Sequence, residues 1–270
     1  MSEHETREQT EQAEATEEVE DPKGAEKRRE KASAHNGHVV GLPGKRVVVN
    51  GVLDLRGVPV AQLAEAESIT VNGVVLLDEG NRNGLAGVRS VVNGTVTVVD
   101  PDTRVMVEPS MDLTKATVEA MPAGQKVMLV GNVFFKPDVP PGLIAEKFEN
   151  LHVVGILIAC EGVYGALMGK MERTGVSVTL PDDVGAVVRS VGVSRWTKDY
   201  LERLADGTTY VNVGVTRVRD DVPEELVERK IASYHNVGVT RAPEAILALL
   251  KSRCGTDQGT FKADDKGERE

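Results

Sequence analysis

Apolar and polar residues alternate along this chain in short runs, and the runs recur. Tyr210-Val211-Asn212-Val213-Gly214-Val215-Thr216-Arg217 returns as Tyr234-His235-Asn236-Val237-Gly238-Val239-Thr240-Arg241. The alternation has the period of a strand whose two faces meet different surroundings. Between the copies, Asp221–Ile231 places Leu226, Val227 and Ile231 at helical spacing behind Pro223 and the acids Glu224 and Glu225. Proline at a helix start sacrifices no hydrogen bond, acids in the first turn suit the macrodipole, and Asp220 or Asp221 is placed to cap. A strand, a helix and the same strand, at a period in the twenties, predicts an array in which each helix carries the chain back to begin another parallel strand.

The pattern extends toward the N-terminus. Val47–Leu55, Ile69–Leu77 and Val91–Val98 read as strands carrying Asn50-Gly51, Asn72-Gly73 and Asn93-Gly94. A Pro59-led helical stretch through Leu63 and Ala66 and a loop at Asp78–Asn83 connect them. The middle is less regular: Asp100–Asp102 predicts a turn, Arg104–Val107 a short strand and Met111–Met121 a helix. Lys126–Phe135 restores the strand pattern, Pro141–Asn150 reads as a helix and Leu151–Ala159 as a strand. Beyond a bend at Gly162, Gly165 and Gly169 come strands near Val176–Leu180 and Ala186–Ser194 and a helix over Trp196–Leu204. Pro243–Arg253, with Ile246, Leu247, Leu249 and Leu250, predicts an amphipathic helix that caps the last coil.

Successive strand residues face opposite sides. Registering the strands on their asparagines sends Asn50, Asn72, Asn93, Asn132, Asn212 and Asn236 to one face, with His152 and Ser190 in equivalent places. Thr95, Thr97, Thr216, Thr240 and Asp54 join them. The other face collects valines and leucines: Val49, Leu53 and Leu55, then Val71, Val75 and Leu77, Val92, Val96 and Val98, Val211, Val213 and Val215, and Val237 and Val239. The expected fold class is therefore α/β: a solenoid with one continuous parallel sheet backed by short helices.

This strand–helix coil resembles the leucine-rich-repeat superfamily, in its broad sense of parallel-strand, helix-backed solenoids, over about residues 46–252. The family's run of leucines with a trailing asparagine is replaced here by valines ahead of Asn-Gly or Val-Gly. That departure keeps a parallel β-helix, similar to the polymer-forming bactofilins, as the alternative. The Pro-led amphipathic segments are too long for simple β-helix corners.

Composition refines the picture. The chain has 270 residues and only 4 Phe, 4 Tyr and 1 Trp, a thin aliphatic core suited to stacked layers. Its net charge is −10, much of it in the ends. Met1–Asp21 holds nine acids and one base, and Pro22–Asn36 five bases, including Lys27-Arg28-Arg29, against Glu26 and Glu30. With almost nothing apolar, residues 1–40 are expected to be a disordered charged tail, 254–270 a disordered acidic one, and 41–253 the repeat domain. The remainder is close to neutral, which offers no footprint for a nucleic acid. With no apolar leader at the N-terminus, the cytoplasm is the expected location.

Candidate chemistry is sparse. Gly165-Ala166-Leu167-Met168-Gly169-Lys170 imitates a phosphate loop but has three residues between its glycines and Met171 after the lysine, where a hydroxyl is needed. Val153–Met171 imitates a membrane span, but Glu161 would sit near the bilayer centre. Acids after the strands (Asp78, Asp100, Asp102, Asp138, Asp182, Asp220) are better explained as helix caps than as a calcium rim. The histidines form no HExxH pair, and Cys160 has no base near it in sequence. No metal or cofactor is expected. Arg195, Arg217 and Arg241 end three registered strands and could together clamp an anion. The primary expectation is a non-enzymatic scaffold that binds a protein partner or itself through its Asn/Thr face (Asn50, Asn72, Asn93, Asn212, Asn236) or its open ends. The alternative is an anion-binding protein or enzyme using the arginine edge.

Overall fold

A computed structural model describes residues 33–263 of the chain. It divides at Val99/Asp100 into two compact units, and every strand pairing in both is parallel.

Unit 1 is one four-stranded sheet: β1 (Ser33–Val40), β2 (Arg46–Asp54), β3 (Ser68–Leu77) and β4 (Ser90–Val98), side by side in chain order. A short helix, α1 (Val60–Leu63), and a 3-10 turn (Gly84–Gly87) return the chain between strands. Asn36, Asn50, Asn72 and Asn93 stand in one register, as do Gly37, Gly51, Gly73 and Gly94. The apolar face is as expected in β2 and β3, where Val49, Leu53, Val71, Val75 and Leu77 are buried with Leu63 from α1. Val96 and Val98 of β4, however, are exposed, and on the asparagine side Asp54, Val52, Val74 and Leu76 are buried. The loop after β3 is fixed by Asn81, whose Nδ2 donates to the Leu55 carbonyl at 2.6 Å and the Val58 carbonyl at 3.1 Å.

Unit 2 begins with a second four-stranded sheet: β5 (Arg104–Leu113), β6 (Gln125–Phe135), β7 (Phe148–Cys160) and β8 (Met171–Leu180). Helices α2 (Lys115–Glu119), α3 (Pro141–Lys147) and α4 (Glu161–Leu167) bury Val118, Ile144, Val163 and Leu167 against Val133, Phe135, Val153 and Leu157. Met111–Met121 is thus not one helix. Met111 and Leu113 pair with Val133 and Phe135 as the end of β5, whose register slips between Glu108 and Ser110, around Pro109. His152 also pairs with Met128 and not with Asn132, which stands opposite Ile156, because Gly131 and Gly155 set the register.

From residue 187 each expected strand is cut in two. Val187–Ser190 (β9), Thr208–Asn212 (β11), Ile231–Asn236 (β13) and Cys254–Asp257 (β15) form one sheet. Val193–Trp196 (β10), Val215–Val218 (β12), Val239–Ala242 (β14) and Thr260–Ala263 (β16) form another. The break falls at Gly192, Gly214, Gly238 and Gly259, which stack: a Cβ on Gly238 would lie 1.9 Å from the Gly214 carbonyl oxygen. The helices are α5 (Lys198–Glu202), α6 (Glu224–Lys230) and α7 (Glu244–Ser252). Trp196 ends β10 and does not begin a helix. The N-cap of α6 is Pro223, without a side-chain cap bond, so neither Asp220 nor Asp221 caps it.

The parallel sheet is therefore not continuous but divided among four sheets. The boundaries expected at 41 and 253 also move: β1 lies in the expected N-terminal tail, and β15 and β16 lie beyond α7, so that helix does not close the stack. The rest of both expected tails lies outside the described residues.

Candidate functional site

The exposed asparagines of unit 1 form a one-way chain. Asn93 Nδ2 donates to Asn72 Oδ1 at 2.8 Å, Asn72 Nδ2 to Asn50 Oδ1 at 2.7 Å, and Asn50 Nδ2 to Asn36 Oδ1 at 3.1 Å. Parallel strands about 4.8 Å apart bring equivalent side chains within reach, and the amide is the side chain that can donate on one side and accept on the other. The neighbouring glycines permit that approach. Gly73 has φ of +147°, and a Cβ on it would sit 2.0 Å from the Gly51 carbonyl oxygen.

Asn212 and Asn236 are not part of that surface. Both are fully buried. Asn212 Nδ2 donates to Asn236 Oδ1 at 3.0 Å, and Thr240 Oγ1 donates to the same oxygen at 3.2 Å. Tyr234 and Thr240 hydroxyls lie 2.7 Å apart. These amides line a core of Trp196, Tyr210 and Tyr234, with Trp196 edge-on to Tyr210 at 4.8 Å and the two tyrosines stacked at 5.9 Å. Burial pushes the Tyr234 hydroxyl's pKa upward, so it stays protonated as a donor. The valines expected to be the buried face here, Val211, Val213 and Val237, pack the other way, against Phe134, Ile158 and Val178 of the β5–β8 sheet. Asn132 stands alone, donating to the Pro109 carbonyl at 2.8 Å.

Arg195, Arg217 and Arg241 are brought together as expected, in register on β10, β12 and β14. Lys262 on β16 extends the column to a fourth cation. Arg195, Arg217 and Lys262 are exposed and Arg241 half-exposed. Beside them runs a column of Val193, Val215 and Val239, with Val193 68% exposed. Sequence reasoning missed Lys262 because the sheet's last strand was assigned to a tail. It also missed Asn36, although Asn36-Gly37 repeats the dipeptide of the next three strands.

The acids and buried cations serve the backbone. Asp78 Oδ2 accepts from the Gly57 amide, Asp138 Oδ2 from the Lys115 amide at 3.2 Å and Asp182 Oδ1 from the Gly162 amide at 2.8 Å. Each carboxylate caps the turn that follows the preceding strand, and Asp78 also caps its own, its Oδ1 accepting from the Asn81 amide at 3.0 Å. At helix ends, Lys170 Nζ reaches the Ala145 and Phe148 carbonyls, and Lys230 Nζ the Leu204 carbonyl and Asp206. Orphan N–H and C=O groups at both ends of a return are thus met by charged partners from the next one.

Among the titratable groups, burial alone would raise the pKa of Asp54. The hydrogen bonds and charge of Arg56, 2.7 Å away, together with His38, outweigh it and hold the carboxyl below its ordinary range. Burial lowers the pKa of His235, whose ring lies between Ser233 and Thr256 at 3.3 and 3.0 Å. It also lowers that of His152, opposed by Glu172. Burial, with Asp182 and Glu161, raises the Cys160 thiol, the reverse of what a nucleophile needs. Among the described residues, no three His, Cys, Asp or Glu side chains come together as a metal site, and no helix is long and apolar enough to cross a membrane. No family model, curated protein or solved structure matches the chain.

Proposed function

We propose that this protein is a non-enzymatic structural scaffold, a strand–helix solenoid resembling leucine-rich-repeat proteins that works by binding other proteins or further copies of itself. The observation that carries this reading is the asparagine ladder of unit 1: a regular row of exposed amides across a sheet whose two edge strands carry no lysine, arginine or acid. Such a surface suits extended contact with a macromolecule better than enclosure of a small substrate. The Cys160 thiol agrees, since burial raises its pKa and disfavours the thiolate a nucleophile needs.

One observation favours a second reading. The column Arg195, Arg217, Arg241 and Lys262 places four cations at strand spacing beside the exposed Val193 and the half-buried Val215 and Val239, which suits a compound with several phosphates or carboxylates. Thermal unfolding with tripolyphosphate separates the two readings. The scaffold reading expects no rise in melting temperature. A rise in the wild type that disappears in the combined Arg195→Ala, Arg217→Ala and Arg241→Ala variant overturns it.

A further inference from the structure

We infer that unit 1 is a head-to-tail seam between copies of this chain, in which β1 of one copy adds in parallel to β4 of the next. This deepens the scaffold reading and rests on it. Three columns cross the sheet in register, and among the described residues no further strand continues them at either edge.

The first is the amide ladder. Asn36 contributes its Oδ1 and Asn93 its Nδ2, so one edge presents a carboxamide N–H and the other a carboxamide oxygen. The two ends complement each other and neither complements itself. The second is the glycine column. A Cβ on Gly51, Gly73 or Gly94 would meet the preceding glycine's carbonyl oxygen at 2.2, 2.0 and 1.9 Å, whereas a Cβ on Gly37 meets nothing within 4 Å. A Gly94 carbonyl from a second copy fills the space beside Gly37 as the other carbonyls do within the chain. The third is the core itself. Val39, Leu53, Val75 and Val96 are aligned; Leu53 and Val75 are fully buried, but Val96 is 47% exposed. Val98 repeats this beyond Leu77, at 40% against 1%.

Edge strands in proteins that stay single are guarded by lysine, proline, inward charges or bulges. β4 reads Ser-Val-Val-Asn-Gly-Thr-Val-Thr-Val, with none of these residues, and β1 carries only His35 and His38 as ionisable groups. Because the joined surfaces are different patches of one chain, the contact is heterologous and leaves a fresh β1 and a fresh β4 at its two ends. The product is an open series of copies. The other possible occupants of the edge, an unrelated strand or the segment before Ser33, are excluded or exposed by the same measurement.

The test is sedimentation velocity of the full chain over a range of concentrations, with Asn36→Asp and Val96→Lys variants. Asn36→Asp keeps the oxygen that accepts from Asn50 but replaces the outward N–H with an anion facing the partner's Asn93 oxygen. Val96→Lys puts a charge on the half-exposed end of the core column. The wild type should grow in mass with concentration. Each variant should shift that association to at least about tenfold higher concentration, with the melting temperature of dilute protein retained. A wild type that stays monomeric throughout, or variants that assemble as the wild type does, overturns the seam. Either failure leaves the scaffold reading standing, because that reading falls only to the tripolyphosphate result.

Discussion

Unit 1 and the C-terminal part of unit 2 both stack asparagines in parallel strands with glycine close behind, yet they turn the amides in opposite directions. Asn50, Asn72 and Asn93 are exposed, and Val49, Val71 and Val75 are buried on the opposite face. Asn212 and Asn236 lie in the core beside Tyr210, Tyr234 and Trp196, and the valines between them face a second sheet. The donor sense differs as well: Asn72 donates back to Asn50, whereas Asn212 donates forward to Asn236. Aromatic residues account for part of the difference. All of them occur from Phe134 onward, so only unit 2 has rings large enough to fill the space around a buried amide. A period in the sequence therefore fixes which residues stack, while bulk and neighbouring surfaces decide which side is dry.

The largest effect should come from the feature both regions share. Gly73→Ala and Gly238→Ala each drive a methyl to about 2 Å of a carbonyl oxygen, and each should cost at least about 3 kcal/mol. Urea unfolding should show the loss, with the Trp196 fluorescence transition moving for Gly238→Ala. Next comes the substitution that separates the regions. Asn236→Ala strips a buried partner from Asn212 and Thr240 and should destabilise by about 2–3 kcal/mol, whereas the exposed Asn72→Ala should cost about 0.5–1.5 kcal/mol. Equal losses in the two variants would erase the distinction between a wet and a dry ladder. The smallest effect should be confined to unit 1 and depend on pH. The Asp54 carboxyl ionises more readily folded than unfolded. Its stabilisation is therefore complete above the ordinary carboxylate pKa of about 4 and is lost as pH falls through its lowered value. The melting-temperature gap between wild type and Asp54→Asn should narrow on acidification, and a gap that widens would assign the effect to another group.

Much of the strand order was legible because parallel stacking repeats local sequence. Asn-Gly at a near-constant interval located β2, β3 and β4, and the paired copies located β11 to β14. The inversion of the second ladder was not legible, because alternation alone does not say which face meets solvent when both faces are covered. Phe134, Ile158 and Val178, which cover Val211, come from strands far away in the chain. The edge strands escaped for a different reason. β1 has serine, alanine and histidine where β2 has valine, and β15 and β16 offer Phe261 as their one large apolar side chain; their places come from pairing and not from composition. Among the site residues, Arg195, Arg217 and Arg241 were readable as a set because the copies align them. Lys262 belongs to the same column but ends a segment with no recognisable copy.

The carboxylates of Asp78, Asp138 and Asp182 each close a turn formed earlier in the chain. On the ribosome, then, the bend at Gly57 stays one hydrogen bond short until β3 and the residue after it have emerged, and the bends at Lys115 and Gly162 wait in the same way. At these three places a newly made strand brings the carboxylate that completes the turn before it, so those turns are finished one strand behind their synthesis.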